Sequence, residues 1–148
     1  MNKKDVYRAL REYIAQKLND AHLLFKEASD SVQAETKSTA GDKHETGRAM
    51  AQIEMEKAGK HFQEILLQEE LINQLRPEVM NDKVVSGALV HTTQGYFYIS
   101  SGIGKLQADN QTVFCIGLQS PVGKALFNKK EGDQYTAAGN THTILSVF

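Results

Sequence analysis

The chain has 148 residues, 41% of them hydrophobic and 24% charged, with a formal net charge of −1. That length suits one medium domain or two small ones, and the even charge balance argues against a duplex-binding surface, which needs a clustered positive stripe. No apolar run approaches the ~18 residues that cross a bilayer, the opening MNKKDVYRAL lacks the apolar core of a secretion signal, and a lone Cys115 leaves no internal disulfide and no cysteine-only zinc site; the chain reads as a cytoplasmic protein without a membrane partner.

Composition changes partway along. Residues 1–76 hold no proline and three glycines, whereas 77–148 hold both prolines, eight glycines and most of the β-branched and aromatic runs. Arg76-Pro77 is the natural joint, because a proline disfavours helix in the residue before it. The predicted domains are therefore 1–76 and 77–148. Charges divide as 12 Lys+Arg against 13 Asp+Glu in the first and 5 against 5 in the second, so neither half is basic.

In the first domain Ile14, Leu18, Ala21, Phe25, Ala28 and Val32 are spaced 4, 3, 4, 3, 4, the seam of a coiled coil rather than the broad face of a globular helix. A second stripe runs through Met55, Ala58, Phe62, Ile65 and Ile72, with Leu66 and Leu75 alongside and Glu69 interrupting it. A short polar break at Ser38–Gly41 between two long helices implies an antiparallel hairpin. At ~1.5 Å per residue its arms would reach roughly 45 Å, and the break would be their tip.

The tip, near 41–48, is acidic. Gly41 suits the left-handed conformation that ends a helix. Asp42 suits the N-cap of the second helix, and Glu45, three residues on, has capping-box spacing; Lys43 and His44 are then solvated neighbours. Gly47 fits a helix poorly, at a cost of about 1 kcal/mol relative to Ala, which points either to a longer irregular tip or to something approaching closely there. The same two carboxylates also lie on one helical face and could hold Mg²⁺. They make only half a site, so the remaining ligands would come from a partner, as when a rod enters another protein's active site and completes a two-metal centre.

In the second domain Val84–Thr92, Tyr96–Ser100 and Thr112–Leu118 read as strands. Ser120 suits an N-cap and Pro121 a first helical residue, so Val122–Phe127 reads as a short helix. Lys129–Asp133 turns into a strand near Gln134–Ala137, and Ala138-Gly139-Asn140 turns into a last strand over Thr141–Phe148. The expected fold class is α+β: an N-terminal antiparallel coiled-coil hairpin, then a small mixed sheet with one short helix.

Taken together these features resemble the bacterial Gre-type transcript-cleavage factors, which are elongation factors of RNA polymerase. The resemblance rests on Gly41-Asp42-Lys43-His44-Glu45 at the tip and on Ser120-Pro121-Val122-Gly123-Lys124-Ala125-Leu126, followed by Lys129, Gly132 and Asp133, in their order on a hairpin-plus-sheet chain. It covers essentially the whole chain and implies an FKBP-like second domain. It further implies that residues such as Ser120, Pro121, Val122, Lys124 and Leu126 dock on RNA polymerase at the rim of its secondary channel and that the hairpin enters that channel. Asp42 and Glu45, supported by Gly41, Lys43, His44 and Arg48, would help hold a Mg²⁺ shared with the polymerase, whose active site would cleave the backtracked RNA end. The protein would be a monomer, would meet RNA and DNA only within the elongation complex, and would be an accessory factor with no cofactor and no activity of its own.

The tip departs from the family pattern. Where the family continues Glu-Asn-Ala-Glu-Tyr, this chain continues Glu45-Thr46-Gly47-Arg48-Ala49, with a reversed charge at Arg48. Occupation of the channel without cleavage is thus the alternative function. Among other residues, Cys115 with His91 or His142 would make a nucleophile pair only if exposed; TVFCIG reads as an apolar strand and Cys115 as a packing residue. His22 and His61 read as flank or packing residues of the hairpin, and Lys124, Lys129 and Lys130 as solvated unless the docking holds.

Overall fold

The computed structural model describes the backbone of residues 1–37 and 41–148, and side chains outside 36–44. Two long helices, α1 (Lys3–Lys37) and α2 (Gly41–Asn73), precede six strands and a short helix: β1 (Leu89–Thr92), β2 (Gly95–Ile99), β3 (Gly104–Ala108), β4 (Gln111–Ile116), α3 (Pro121–Leu126), β5 (Gln134–Ala137) and β6 (Asn140–Val147). The class is α+β. None of the described helices is long and apolar enough to cross a membrane. The chain forms two compact units, one of Met1–Glu12 with Glu70–Phe148 and one of Tyr13–Glu69, so the ends of both long helices belong with the sheet.

Within Tyr13–Glu69 the arms run antiparallel. His22 and Phe25 of α1 meet the Phe62 ring of α2, and Phe25 also lies against Gly59; further along α1, Glu35 meets Gly47, earlier in α2. The 4-3 stripe is the inward stripe, with Ile14, Ala21 and Ile65 buried and Leu18, Phe25, Ala28, Val32, Met55, Ala58 and Phe62 half-buried. Phe25 and Phe62 are parallel, 5° apart with centroids at 6.2 Å, in the offset arrangement aromatic rings prefer. Glu69, which interrupts the stripe, is half-buried.

The sheet is mixed, in the order β3-β4-β2-β1-β6-β5. All neighbours are antiparallel except β2 and β4, which run parallel with Tyr98 opposite Cys115. Alternation along the strands gives two apolar faces. Val90, Phe97 and Ile99, with Leu126 of α3, Tyr135 and Ile144, form one core. On the opposite face Leu89, Tyr98, Val113 and Cys115 are wholly buried, in the unit that also holds Val6 and Leu10 of α1 and Ile72 of α2, all at 0% exposure. The first turn of α1 is anchored there too: Asn2 Oδ1 accepts from the Lys4 amide at 2.9 Å, and the buried Lys3 ammonium donates to the Val79 carbonyl.

Two expectations change. Val84–Ala88 is loop, not strand, buried or half-buried except for exposed Ser86; Val84 is held by backbone bonds with Lys129 and Asn128, not by a sheet neighbour. A further strand, β3, lies at the sheet edge and reaches β4 through Asp109-Asn110, both at positive φ (51° and 58°), the geometry of a type I′ hairpin turn. Ala138-Gly139 repeats it between β5 and β6, with φ of 51° and 79°.

Gly47 and Gly59, both inside α2, differ in what an added methyl would meet. At Gly59 it would press on the Phe25 ring edge at 3.1 Å, and at Gly47 on the end of the flexible Glu35 side chain at 2.9 Å. Gly47→Ala therefore keeps more of the ~1 kcal/mol of helix propensity than Gly59→Ala, because the end of a long side chain is displaced at less cost than a ring stacked on Phe62. Thermal unfolding followed by helical circular dichroism is expected to show a larger rise in Tm for Gly47→Ala than for Gly59→Ala; the reverse order would refute this packing of the arms.

Candidate functional site

The acidic end of the hairpin is built on the first turns of α2. The helix starts at Gly41, so Gly41 opens α2 instead of closing α1, and Asp42 stands within the first turn instead of ahead of it. The side chains of Gly41, Asp42, Lys43 and His44 lie outside the described residues, and with them the expected capping bond. The backbone nonetheless puts positions 42 and 45 one turn apart on one face. Glu45 and Arg48 are exposed, with Arg48 a further turn along. Gly47 lies inside α2, which removes the longer irregular tip, and the close approach expected at it is that of Glu35. Among the described residues no three His, Cys, Asp or Glu side chains converge to hold a metal.

The second group of predicted residues surrounds α3. Ser120, extended at φ −68° and ψ 157°, caps the helix: its Oγ accepts from the Gly123 amide at 3.0 Å and donates to the Gly117 carbonyl at 2.7 Å. Pro121 follows at the first helical positions, where its missing N–H costs nothing. Gly123 is compelled by contact, since a Cβ there would lie 2.1 Å from the Gly117 carbonyl oxygen. Pro121 and Lys124 are exposed and Val122 is half-buried. Leu126 is wholly buried in the core, so it seats α3 on the sheet and offers no surface to a partner. Lys129 is half-buried and Lys130 exposed, in a turn held by the Lys130 amide donating to Asp133 Oδ2 at 2.9 Å.

Two apolar residues that the sequence reading left out of this surface belong to it. Phe127 is 47% exposed and, with Leu118, Gln119 and Lys124, lines a hollow of about 240 Å³. No periodicity in the sequence singled Phe127 out; it is the C-cap of α3, where the chain leaves the helix. Cationic Lys124 beside an apolar hollow suits a partner segment that presents an acid next to an apolar side chain.

The histidine and cysteine readings resolve by packing. His91 stacks on Tyr96 at 4.2 Å, His142 lies against Tyr135, and His22 against Phe62. Cys115 is wholly buried, and burial pushes its thiol up to about 11, opposed only in part by a hydrogen bond with Ser100. A thiol held that far above neutrality is a packing group, not a nucleophile.

No protein-family model matches the sequence, and no curated protein matches it. A solved structure described as that of the transcription factor Gfh1 aligns over 94% of this chain and 93% of its own, at 18% identity and a TM-score of 0.37. A superposition that loose carries no statement about this chain.

Two outcomes are expected. Gly123→Ala should cost about 1–3 kcal/mol through overpacking against a backbone oxygen, whereas Lys124→Ala should stay within about 0.5 kcal/mol of the parent; urea unfolding of both variants reads the contrast. Because the folded thiol of Cys115 titrates at about 11 against an ordinary 9.0, the native state holds its proton longer than the unfolded chain. That contribution is complete below pH 9 and lost as pH rises toward 11. Burial also raises Tyr98 and Tyr135, in the same direction. Stability should fall through this alkaline window, less steeply in Cys115→Ala, and iodoacetamide should leave folded Cys115 unmodified at neutral pH.

Proposed function

We propose that this chain is an RNA polymerase accessory factor that inserts its hairpin into the secondary channel and stimulates cleavage of backtracked RNA. The single observation that carries the reading is the pairing, on one chain, of acidic sequence positions 42 and 45 one helical turn apart at the start of α2 with an exposed Lys124–Phe127 surface held rigid by the Ser120 cap. One end can reach and the other can hold, and neither is a complete active site.

Asp42 and Glu45 would fit Mg²⁺ only as part of a shared ligand set, since Mg²⁺ takes a few carboxylates and keeps several waters and two carboxylates are fewer than its full ligand set. When bound, Mg²⁺ would neutralise developing phosphate charge and make its bound water more acidic. The two carboxylates would orient that water toward the RNA phosphodiester within the polymerase. Lys124 and Phe127 would dock the sheet unit at the channel rim, while Ser120, Pro121 and the buried Leu126 keep their geometry fixed.

A second reading, channel occupation without cleavage, is favoured by Arg48. It is exposed one turn beyond Glu45 and would set a positive charge near that carboxylate, which would weaken its attraction for a metal.

The test is a transcript-cleavage assay on backtracked elongation complexes with Mg²⁺, comparing the parent with Asp42→Asn, Glu45→Gln and Arg48→Glu. Asn supports a helix start about as well as Asp but carries no charge. Each acid-to-amide change should reduce release of short 3′ RNA fragments at least about tenfold, or ~1.4 kcal/mol of barrier, with little change in Tm, and Arg48→Glu should raise it. Binding and slowed synthesis without cleavage by the parent would establish the second reading, and absence of polymerase binding would refute both.

A further inference from the structure

A separate cleft of about 340 Å³ lies where the last turn of α2 faces the β2 end of the sheet. It falls wholly within the unit that contains Glu70–Phe148 and shares no residue with the hollow beside α3. Its size is within the range of small-molecule sites, about 300–1,000 Å³.

The lining has a definite chemistry. Leu71, Leu75 and Val79 supply an aliphatic wall, and Leu71 and Val79 leave 53% and 44% of their surface exposed. The lining also includes Asn81, Ser86 and Ser100; Asn81 Nδ2 donates to the Phe148 carbonyl and Ser100 Oγ to the Tyr98 carbonyl, and Ser86 is exposed. Gly87, at φ +88°, belongs to the same wall, where a Cβ would point to within 3.8 Å of the Leu75 Cδ2 and narrow the opening. Arg76 carries the one charge among the residues lining the cleft, and no acid opposes it there. The C-terminal end of α2 contributes a partial negative charge of about half an electron, smaller than the full and permanent charge of a guanidinium.

We propose that this cleft binds a small amphipathic anion, with a carboxylate or similar oxyanion on Arg76 and a flat apolar body against Leu71, Leu75 and Val79. The Ser86 hydroxyl orients the ligand, and Arg76 selects its charge through the paired hydrogen bonds a planar guanidinium makes to an oxyanion. This goes beyond the transcription role and does not depend on it.

The experiment titrates the ¹⁵N-labelled full chain with 2-naphthoate and, separately, with 2-naphthamide, which has the same body without the charge. Naphthoate is expected to shift the amides of Val79, Gly87 and Ser100 and to bind at least about tenfold more tightly than naphthamide. Arg76→Gln should bring naphthoate to the level of the amide, and Arg48→Gln, which removes an exposed charge elsewhere, should leave binding unchanged. Equal affinity for the two probes, shifts confined to Leu118–Phe127, an equal effect of the two arginine variants, or no shift at millimolar probe would each overturn the proposal. The comparison of probes on the parent chain stands even if Arg76→Gln fails to fold.

Discussion

A pair of helices can bury only one stripe on each partner, and the Tyr13–Glu69 unit is shaped by that limit. Of its described hydrophobic residues only Ile14, Ala21 and Ile65 are fully buried, while Leu23, Leu24, Ile53 and Leu67 stand about half exposed or more. A seam this thin is compensated in two ways. Small residues at Ala21, Ala28, Ala58 and Gly59 let the arms close around the Phe25–Phe62 pair. The helices also begin and end in the other unit, where Val6, Leu10 and Ile72 are wholly buried. Starting a helix is its costly step and extending it is cheap, so arms whose roots are already fixed need little more than a narrow seam to continue.

The sheet unit faces the opposite condition, since both of its faces are apolar and must be covered. On one face α3 does this with a single fully buried side chain, Leu126. A six-residue helix has almost no stability of its own. Its position comes from the Gly117 carbonyl, which accepts from both the Ser120 amide and the Ser120 hydroxyl, and against which Gly123 packs with no room for a methyl. The surface formed by Lys124 and Phe127 inherits its rigidity from that one carbonyl. On the other face, the Tyr98 hydroxyl is buried without a hydrogen-bond partner, which with nearby Tyr7 and Glu78 keeps its proton firmly bound.

The parts of this structure legible in the sequence are those with strong periodicity or strong punctuation. The 4-3 spacing from Ile14 to Val32 revealed the inward stripe of α1, and Ser120-Pro121 revealed the start of α3. What escaped lacked such signals. The β3 strand, GKLQA, has no β-branched or aromatic residue because it is an exposed edge strand with only Leu106 and Ala108 turned inward; its cue was the turn pair Asp109-Asn110. Val84–Ala88 carried too much signal: Val84 and Ala88 are apolar because they fill the core, and burial alone does not make a strand. Leu126 looked like part of a docking motif because motif residues that touch and residues that support are adjacent in sequence. The cleft beneath α2 could not be read at all, since residues 71–81, 86–87 and 100 meet only through the fold.

At the acidic end, folding and chemistry ask for overlapping residues, and the overlap is incomplete in an informative way. A carboxylate in the first turn of α2 is favoured by the helix dipole whatever else it does, by about 0.3–1 kcal/mol. Asp42 and Glu45 therefore satisfy the local demands of a helix start without reference to any partner. Arg48 does not share this ambiguity. It lies beyond the first turn of α2, where the dipole's influence has decayed, and it is exposed, so neither the helix dipole nor core packing specifies its charge. A charge that folding does not require is the one most free to be set by whatever surface the hairpin meets. Arg48, more than the two acids, carries a charge that the folding of the hairpin leaves unexplained.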